Sequence, residues 1–246
     1  MINNKQYNKK EYFLRKSNFF NKRLKQIFPY ISKFKIKGKF LDAGCGMGEM
    51  LFEFKQKFPN VSFYGTDIST FGLKQAQSNS FNVFKSDLSK KINFRSNYFN
   101  IVFSQSVIEH LYNPDLFLEE CHRVLKKNGI LIIITPNLLA WHQRILCLIG
   151  VTPSFMELST KDPSVGLGIF SKIFKKNHTV GHIRVFNSFG LKKIVENSEF
   201  EIIIQKELPA EHNFPKPINY LFNMIDKFMS LFPTLSSVLF IVARKK

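Results

Sequence analysis

The stretch LDAGCGMGEM, residues 41–50, decides how this chain is read. Apolar Phe40-Leu41 leads into it and Met50-Leu51-Phe52-Glu53-Phe54 follows, which reads as a strand, a glycine turn and then a helix. Glycines at 44, 46 and 48 let the backbone approach a ligand closely and take positive φ where a side chain would clash. The first amides of the helix then face the ligand and favour negative charge on it. A dinucleotide-binding turn requires G-x-G-x-x-G; counted from Gly44, its third glycine falls on Glu49. The spacing present is D-x-G-x-G-x-G, from Asp42 to Gly48. By itself this fits a cofactor loop or a purely structural strand–helix turn.

The chain beyond it repeats the strand-then-helix rhythm. A second strand at 61–65 ends at Thr66-Asp67, where a carboxylate is placed to accept both hydroxyls of a ribose. A helix over 69–77 and a short third strand at 81–84 lead to Lys85-Ser86-Asp87-Leu88. A fourth strand at 98–104 is followed by QSVIEHL, residues 105–111, then a helix from Pro114 to Leu125 with Asn128-Gly129 expected as its stop. The apolar, β-branched run 130–135 reads as a strand covered on both faces. Such alternation implies a doubly wound parallel α/β sheet, with the three acidic or glycine motifs at carboxyl ends of strands, where open sheets bind ligands.

On these residues, roughly 38–136, the chain resembles the class I S-adenosylmethionine (SAM) methyltransferases. The resemblance implies a Rossmann-like sheet of seven strands, the last antiparallel, and SAM as cofactor. In that family the turn wraps the methionine end of SAM, here Asp42, Gly44, Cys45, Gly46 and Gly48. Asp67 with Ile68 falls at the ribose, Asp87 with Leu88 at the adenine, and Ser104-Gln105 at the end of the fourth strand. The region of Glu109-His110 is similar to the ubiquinone-pathway O-methyltransferases, whose E-x-x-E-H can bind a divalent metal. Ser106 stands in place of the first acid, so no metal is expected. His110 is the candidate general base beside Glu109, and His182 with Arg184, in an H-x-R-x-F similar to that of small-molecule members, forms a second candidate pair of base and anion clamp. The [ND]-P-P-[YF] of exocyclic-nitrogen methyltransferases and the nucleophilic Cys of the C5-pyrimidine class are both missing, which leaves a hydroxyl or carbon acceptor.

An insertion of about fifty residues, 137–187, is expected to cap the acceptor side. Its first part, LLAWHQRILCLIG (138–150), is strongly apolar yet too short to span a bilayer. Ser188 is a candidate cap for a helix to Asn197, followed by a sixth strand at 200–205, an aromatic amphipathic helix at 218–232 and a seventh strand at 237–244. A membrane anchor over 218–243 is disfavoured by Asp226, Lys227 and Pro233, charges at a helix centre costing about 2.5–3.5 kcal/mol each.

With 246 residues and 44% hydrophobic content, one large domain over 38–246 is expected, preceded by a basic amphipathic segment over 1–37. Three scattered cysteines form no C-x-x-C pair and fit a reducing cytoplasm. The N-terminal residues carry no apolar run of the signal-peptide kind. The net charge of +18 attracts anionic membrane, RNA or phosphorylated substrates alike. Together these features suggest methylation of a small or lipid-linked amphiphile, a glycolipid or quinone precursor, with peripheral contact to an anionic membrane and no specific nucleic acid. An RNA methyltransferase, and a non-catalytic docking or regulatory protein on the same fold, are the alternatives.

Overall fold

The computed structural model describes residues 17–172, 179–210, 218–232 and 234–246; residues 9–16, the basic stretch 173–176 and His178 lie outside the described residues. One mixed sheet organises the rest. Its strands are β1 (Lys39–Ala43), β2 (Ser62–Asp67), β3 (Asn82–Lys85), β4 (Phe99–Gln105), β5 (Leu125–Pro136), β6 (Phe200–Leu208) and β7 (Val238–Lys245). They lie in the order β3-β2-β1-β4-β5-β7-β6. The first five run parallel, and β7 is antiparallel to both β5 and β6. The expected seven-stranded doubly wound sheet is thus present. Its order reverses between β1 and β4, and that switch point opens a crevice at the carboxyl ends of both strands.

Strands buried on both faces carry apolar side chains at every position. Along β5, Ile130, Ile132 and Ile134 enter one core while Leu131 and Ile133 enter the other. The first core is covered by α1 (Ser17–Ile31), α2 (Glu49–Lys57) and α3 (Thr70–Ser78), through residues such as Ile27, Phe54 and Leu73. The second is covered by α4 (Pro114–Val124) and α6 (Ser188–Asn197), through Phe117, Cys121 and Leu191. The described half of the basic N-terminal segment is therefore part of the main domain: Leu24, Ile27 and Ile31 are buried, and even Arg23 is only 1% exposed.

Three local expectations change. Helix α4 ends at Val124 and β5 starts on the next residue, so Asn128-Gly129 is not a helix stop. Asn128 has φ 60°, and the β4–β5 register shifts between Phe99 and Ile101, which makes the pair an irregularity inside a strand. The N-cap of α6 is Asn187, whose side chain accepts from Gly190 N, in place of Ser188. The helix expected over 138–150 is the shorter α5 (Trp141–Leu148), packed beside α7 (Ile218–Met229). Among the described residues no helix is long and apolar enough to cross a membrane.

Candidate active site

The glycine turn sits at the mouth of the switch point. Gly44, Gly46 and Gly48 all have positive φ, 94°, 54° and 83°, and Gly48 forms the left-handed N-cap of α2. A methyl group on Gly44 would lie 2.2 Å from Val107 Cγ2, in the segment after β4. Glycine is thus required both for the bend and for close packing of the β4 loop on it. Gly72, in the first turn of α3, has the same kind of duty: a Cβ there would stand 2.8 Å from Gly46 O. No motif marks Gly72; the only clue is a glycine just inside a helix start.

Asp67 ties the turn to the second strand. Its Oδ2 accepts from Gly46 N at 2.9 Å and its Oδ1 from Ser69 N at 2.7 Å. Ser86 N donates to Asp67 O, which brings the Asp87 turn alongside. Asp87 Oδ1 accepts from Ser89 N, Leu88 is buried and Ile68 half-buried. Asp42, Asp67 and Glu49 act on one another: burial, then Asp67, then Glu49 push the Asp42 carboxyl well above the usual carboxylate range.

That crowding tests the fit to SAM. Three acids around a turn of backbone amides suit a ligand that is cationic at one end and has a carboxylate to place on the amides. At the end of β4, Gln105 Oε1 is buried without a hydrogen-bond partner among the described residues, an orphan that an ammonium or hydroxyl of a ligand satisfies. Two expected contacts are turned elsewhere. The Cys45 side chain is buried against β2, where a Cβ on Gly65 would meet its sulfur at 2.6 Å, and burial pushes its thiol pKa up. Ser104 Oγ donates to Ala43 O, a bond between adjacent strands. Only the backbone of either residue is left to meet a cofactor.

The second candidate cluster lies just past β4. Glu109 is fully buried on a single 3-10 turn, Ile108–His110, with Oε2 accepting from Thr135 Oγ1 at 2.9 Å. The insertion returns across it, with Ile183 N and Arg184 N both donating to Glu109 O. His182 is thereby placed beside His110, ring centroids 4.9 Å apart. Each histidine points Nδ1 at a carbonyl, His110 at Gly181 O (2.9 Å) and His182 at Phe155 O (3.0 Å). A carbonyl only accepts, so Nδ1 carries the proton and, in the neutral ring, Nε2 the lone pair. Burial holds the His182 pKa below the ordinary imidazole value. Arg184 takes another direction: it is exposed, and its Nε donates to Tyr112 O at 2.9 Å. Glu157, which the sequence does not single out, accepts from Val180 N, Gly181 N and His182 N and fixes the returning segment to the insertion loop.

This fold and turn define the class. The Methyltransferase domain family matches residues 41–133, and the seven-stranded sheet has the fold of the class I SAM-dependent methyltransferases. Among named relatives it is similar to a ubiquinone biosynthesis O-methyltransferase of Pelagibacter ubique, 27% identical over 174 residues, covering 67% of this chain and 66% of that one. It is also similar to the mitochondrial ubiquinone biosynthesis O-methyltransferase of Rattus norvegicus, 33% identical over 110 residues, 40% of this chain and 31% of that protein. The matches span less than two thirds of either relative. A SAM-dependent methyltransferase structure from Archaeoglobus fulgidus superposes with TM-score 0.61 at 21% identity, covering 95% and 99% of the two chains.

Proposed function

We propose that this protein transfers the methyl group of SAM to a hydroxyl oxygen of a small amphiphilic or lipid-linked acceptor met at an anionic membrane surface. SAM supplies an activated methyl group when bound. The chain's task is to hold the acceptor in line and take its proton, and Glu109, His110 and His182 are the groups assembled beside the binding turn for it.

The observation that carries the membrane part is the apolar exposure of two helices. Trp141 Nε1 donates to the buried Asp226 at 2.8 Å and its ring meets Phe222, so α5 and α7 are locked together by their inner sides. Their outer sides stay in water: Ile145, Leu148 and Ile149 from one, Tyr220, Leu221, Met224 and Phe228 from the other, with Leu148 85% exposed. Two helices joined at Trp141 that each expose large apolar residues offer surfaces of the kind that meet a partner or a bilayer. The excess of positive charge favours anionic over neutral lipid, at roughly 1 kcal/mol per basic residue near the surface. Trp141 belongs to the inner side.

The test has three parts. Calorimetry of SAM binding separates an enzyme from a non-catalytic relative. Labelled SAM with a total lipid extract, followed by counting the organic phase, reads methyl transfer. Co-sedimentation with phosphatidylserine vesicles at low salt should succeed, fail with neutral vesicles, and be lost in Leu148→Glu with SAM affinity retained. Label that stays wholly in the aqueous phase, with no vesicle binding, overturns the lipid-linked acceptor.

A further inference from the structure

The amino-terminal end of the parallel strands, opposite the crevice, gathers cations from separate parts of the chain. Lys39 opens β1, Arg95 precedes β4, Lys126 and Lys127 stand near the start of β5, and Lys245 and Lys246 close the antiparallel β7. Strands β1, β4, β5 and β7 are successive neighbours. At ~4.8 Å per strand, their cations form a row on the order of 14 Å long. The segment entering β4 fixes them. Asn100 Oδ1 accepts from Lys39 N at 3.0 Å and from Lys126 Nζ at 3.3 Å, and Asn97 Oδ1 accepts from Lys245 Nζ at 3.1 Å. Lys39 Nζ stands 3.6 Å from the centre of the Tyr98 ring, and the Arg95 guanidinium 4.9 Å from it.

No member of the row makes an ion pair among the described residues. The acids at that end have other neighbours: Glu120 pairs with Arg123, Glu201 with Arg244, and Glu199 lies 3.9 Å from His122. Arg95, Lys126, Lys127 and Lys246 are exposed. Like charges held together repel one another until an anion joins them. A lipid-docking surface adds apolar insertion to charge. Here no large apolar side chain is exposed at 37–40, 95–100, 125–130 or 243–246, whereas α5 and α7 stand at the other end, where Pro136 pairs with Val238. A straight row of cations without apolar neighbours suits a linear polyanion.

We propose that this row binds the phosphodiester backbone of nucleic acid without reading its sequence. Sites that read single strands pair such a row with open aromatic faces on which bases stack. Tyr98 has Lys39 over its ring and is itself stacked on Phe94, so phosphate contacts carry the binding. Nucleic acid held there lies at the far end of the sheet from the crevice; it tethers the protein and is not the methyl acceptor.

The test uses the purified full chain and fluorescently labelled single-stranded oligouridine, read by anisotropy across a salt series. Log K should fall linearly with log salt, and oligoadenosine should bind within about threefold of oligouridine. A row variant carrying Arg95→Gln, Lys126→Gln, Lys127→Gln and Lys246→Gln should bind at least about tenfold more weakly at low salt, with a slope shallower by roughly 0.7 per phosphate contact removed. A control variant carrying Lys74→Gln, Lys161→Gln, Lys193→Gln and Lys227→Gln removes the same charge from exposed positions elsewhere, and should lose less than about threefold. SAM calorimetry reports that both variants are folded. Equal losses in the two variants would make net charge responsible and overturn the site, as would wild-type RNA affinity in the folded row variant. Loss of phosphatidylserine-vesicle binding in a row variant that keeps its RNA affinity also overturns it, since the row then faces lipid.

Discussion

Ionising Asp42 inside the fold sets a carboxylate against burial and two neighbouring acids, and a cationic ligand reverses that balance. Its folded pKa lies above its unfolded value. The protonated form's contribution to stability is therefore complete below the ordinary carboxylate pKa and is lost as pH rises through the folded value. Asp42→Asn should raise the neutral-pH melting temperature of the cofactor-free protein by a few degrees, since about 1 kcal/mol shifts a domain of this size ~2–4 °C. The same change should weaken SAM, and in the wild type SAM affinity should climb with pH over the window in which Asp42 ionises; calorimetry at several pH values checks both. Asp67→Ala removes a charge-assisted acceptor, about 1.5–3 kcal/mol, or roughly ten- to hundredfold in SAM affinity. Because Asp67 also holds Gly46 N and Ser69 N, a modest loss of melting temperature should accompany it. Unchanged SAM affinity in the folded variant would remove Asp67 from the site. These residues were legible in sequence because a positive φ and a strand-end carboxylate are local requirements. The pairing of His182 with Glu109 was not, since nothing local says where an inserted segment returns.

Helices α5 and α7 show what periodicity alone leaves open. Their apolar content announced a partner, yet only the structure assigns Trp141 to the seam and Leu148 to water. Asp226, which in sequence merely spoils a hydrophobic run, accepts from Trp141 Nε1, Ser237 Oγ and Ala210 N, so it joins α7 to α5, to the start of β7 and to the end of β6. Trp141→Glu should consequently destabilise the protein severely by setting a second carboxylate beside a buried one, whereas Leu148→Glu should melt within a degree or two of wild type; thermal denaturation of the pair decides the assignment. The Asn128-Gly129 pair was misread for a related reason. A turn signal after a helix pattern looks like a stop, but an irregular strand uses the same left-handed residue.

At the scale of the whole molecule, the alternation of strand and helix patterns pointed to a doubly wound sheet, whereas the count of seven strands and the antiparallel last one came from the resemblance to the methyltransferase family. Charge is a poorer guide: +18 is compatible with any polyanion. We expect weak RNA binding that falls linearly in log K against log salt, and no site-specific incorporation of label from SAM into RNA. A discrete methylated nucleotide would reverse the ranking of acceptors.

The position of β7 bears on how the chain is made. It fills the slot between β5 and β6 and pairs with both, yet it is the last of the seven to leave the ribosome. At ~5–20 residues per second, the edge of β5 waits on the order of 5–20 s with Ile130, Leu131, Ile132, Ile133 and Ile134 unpaired, a flat apolar template for other chains. The sheet therefore cannot close until the residues of β7 have been made and have emerged. Nascent chains stalled at residue 230 should be protease-sensitive and retained by a hydrophobic-surface chaperone. Extending the stall until Lys245 has cleared the exit tunnel should release them into a protected, SAM-binding form.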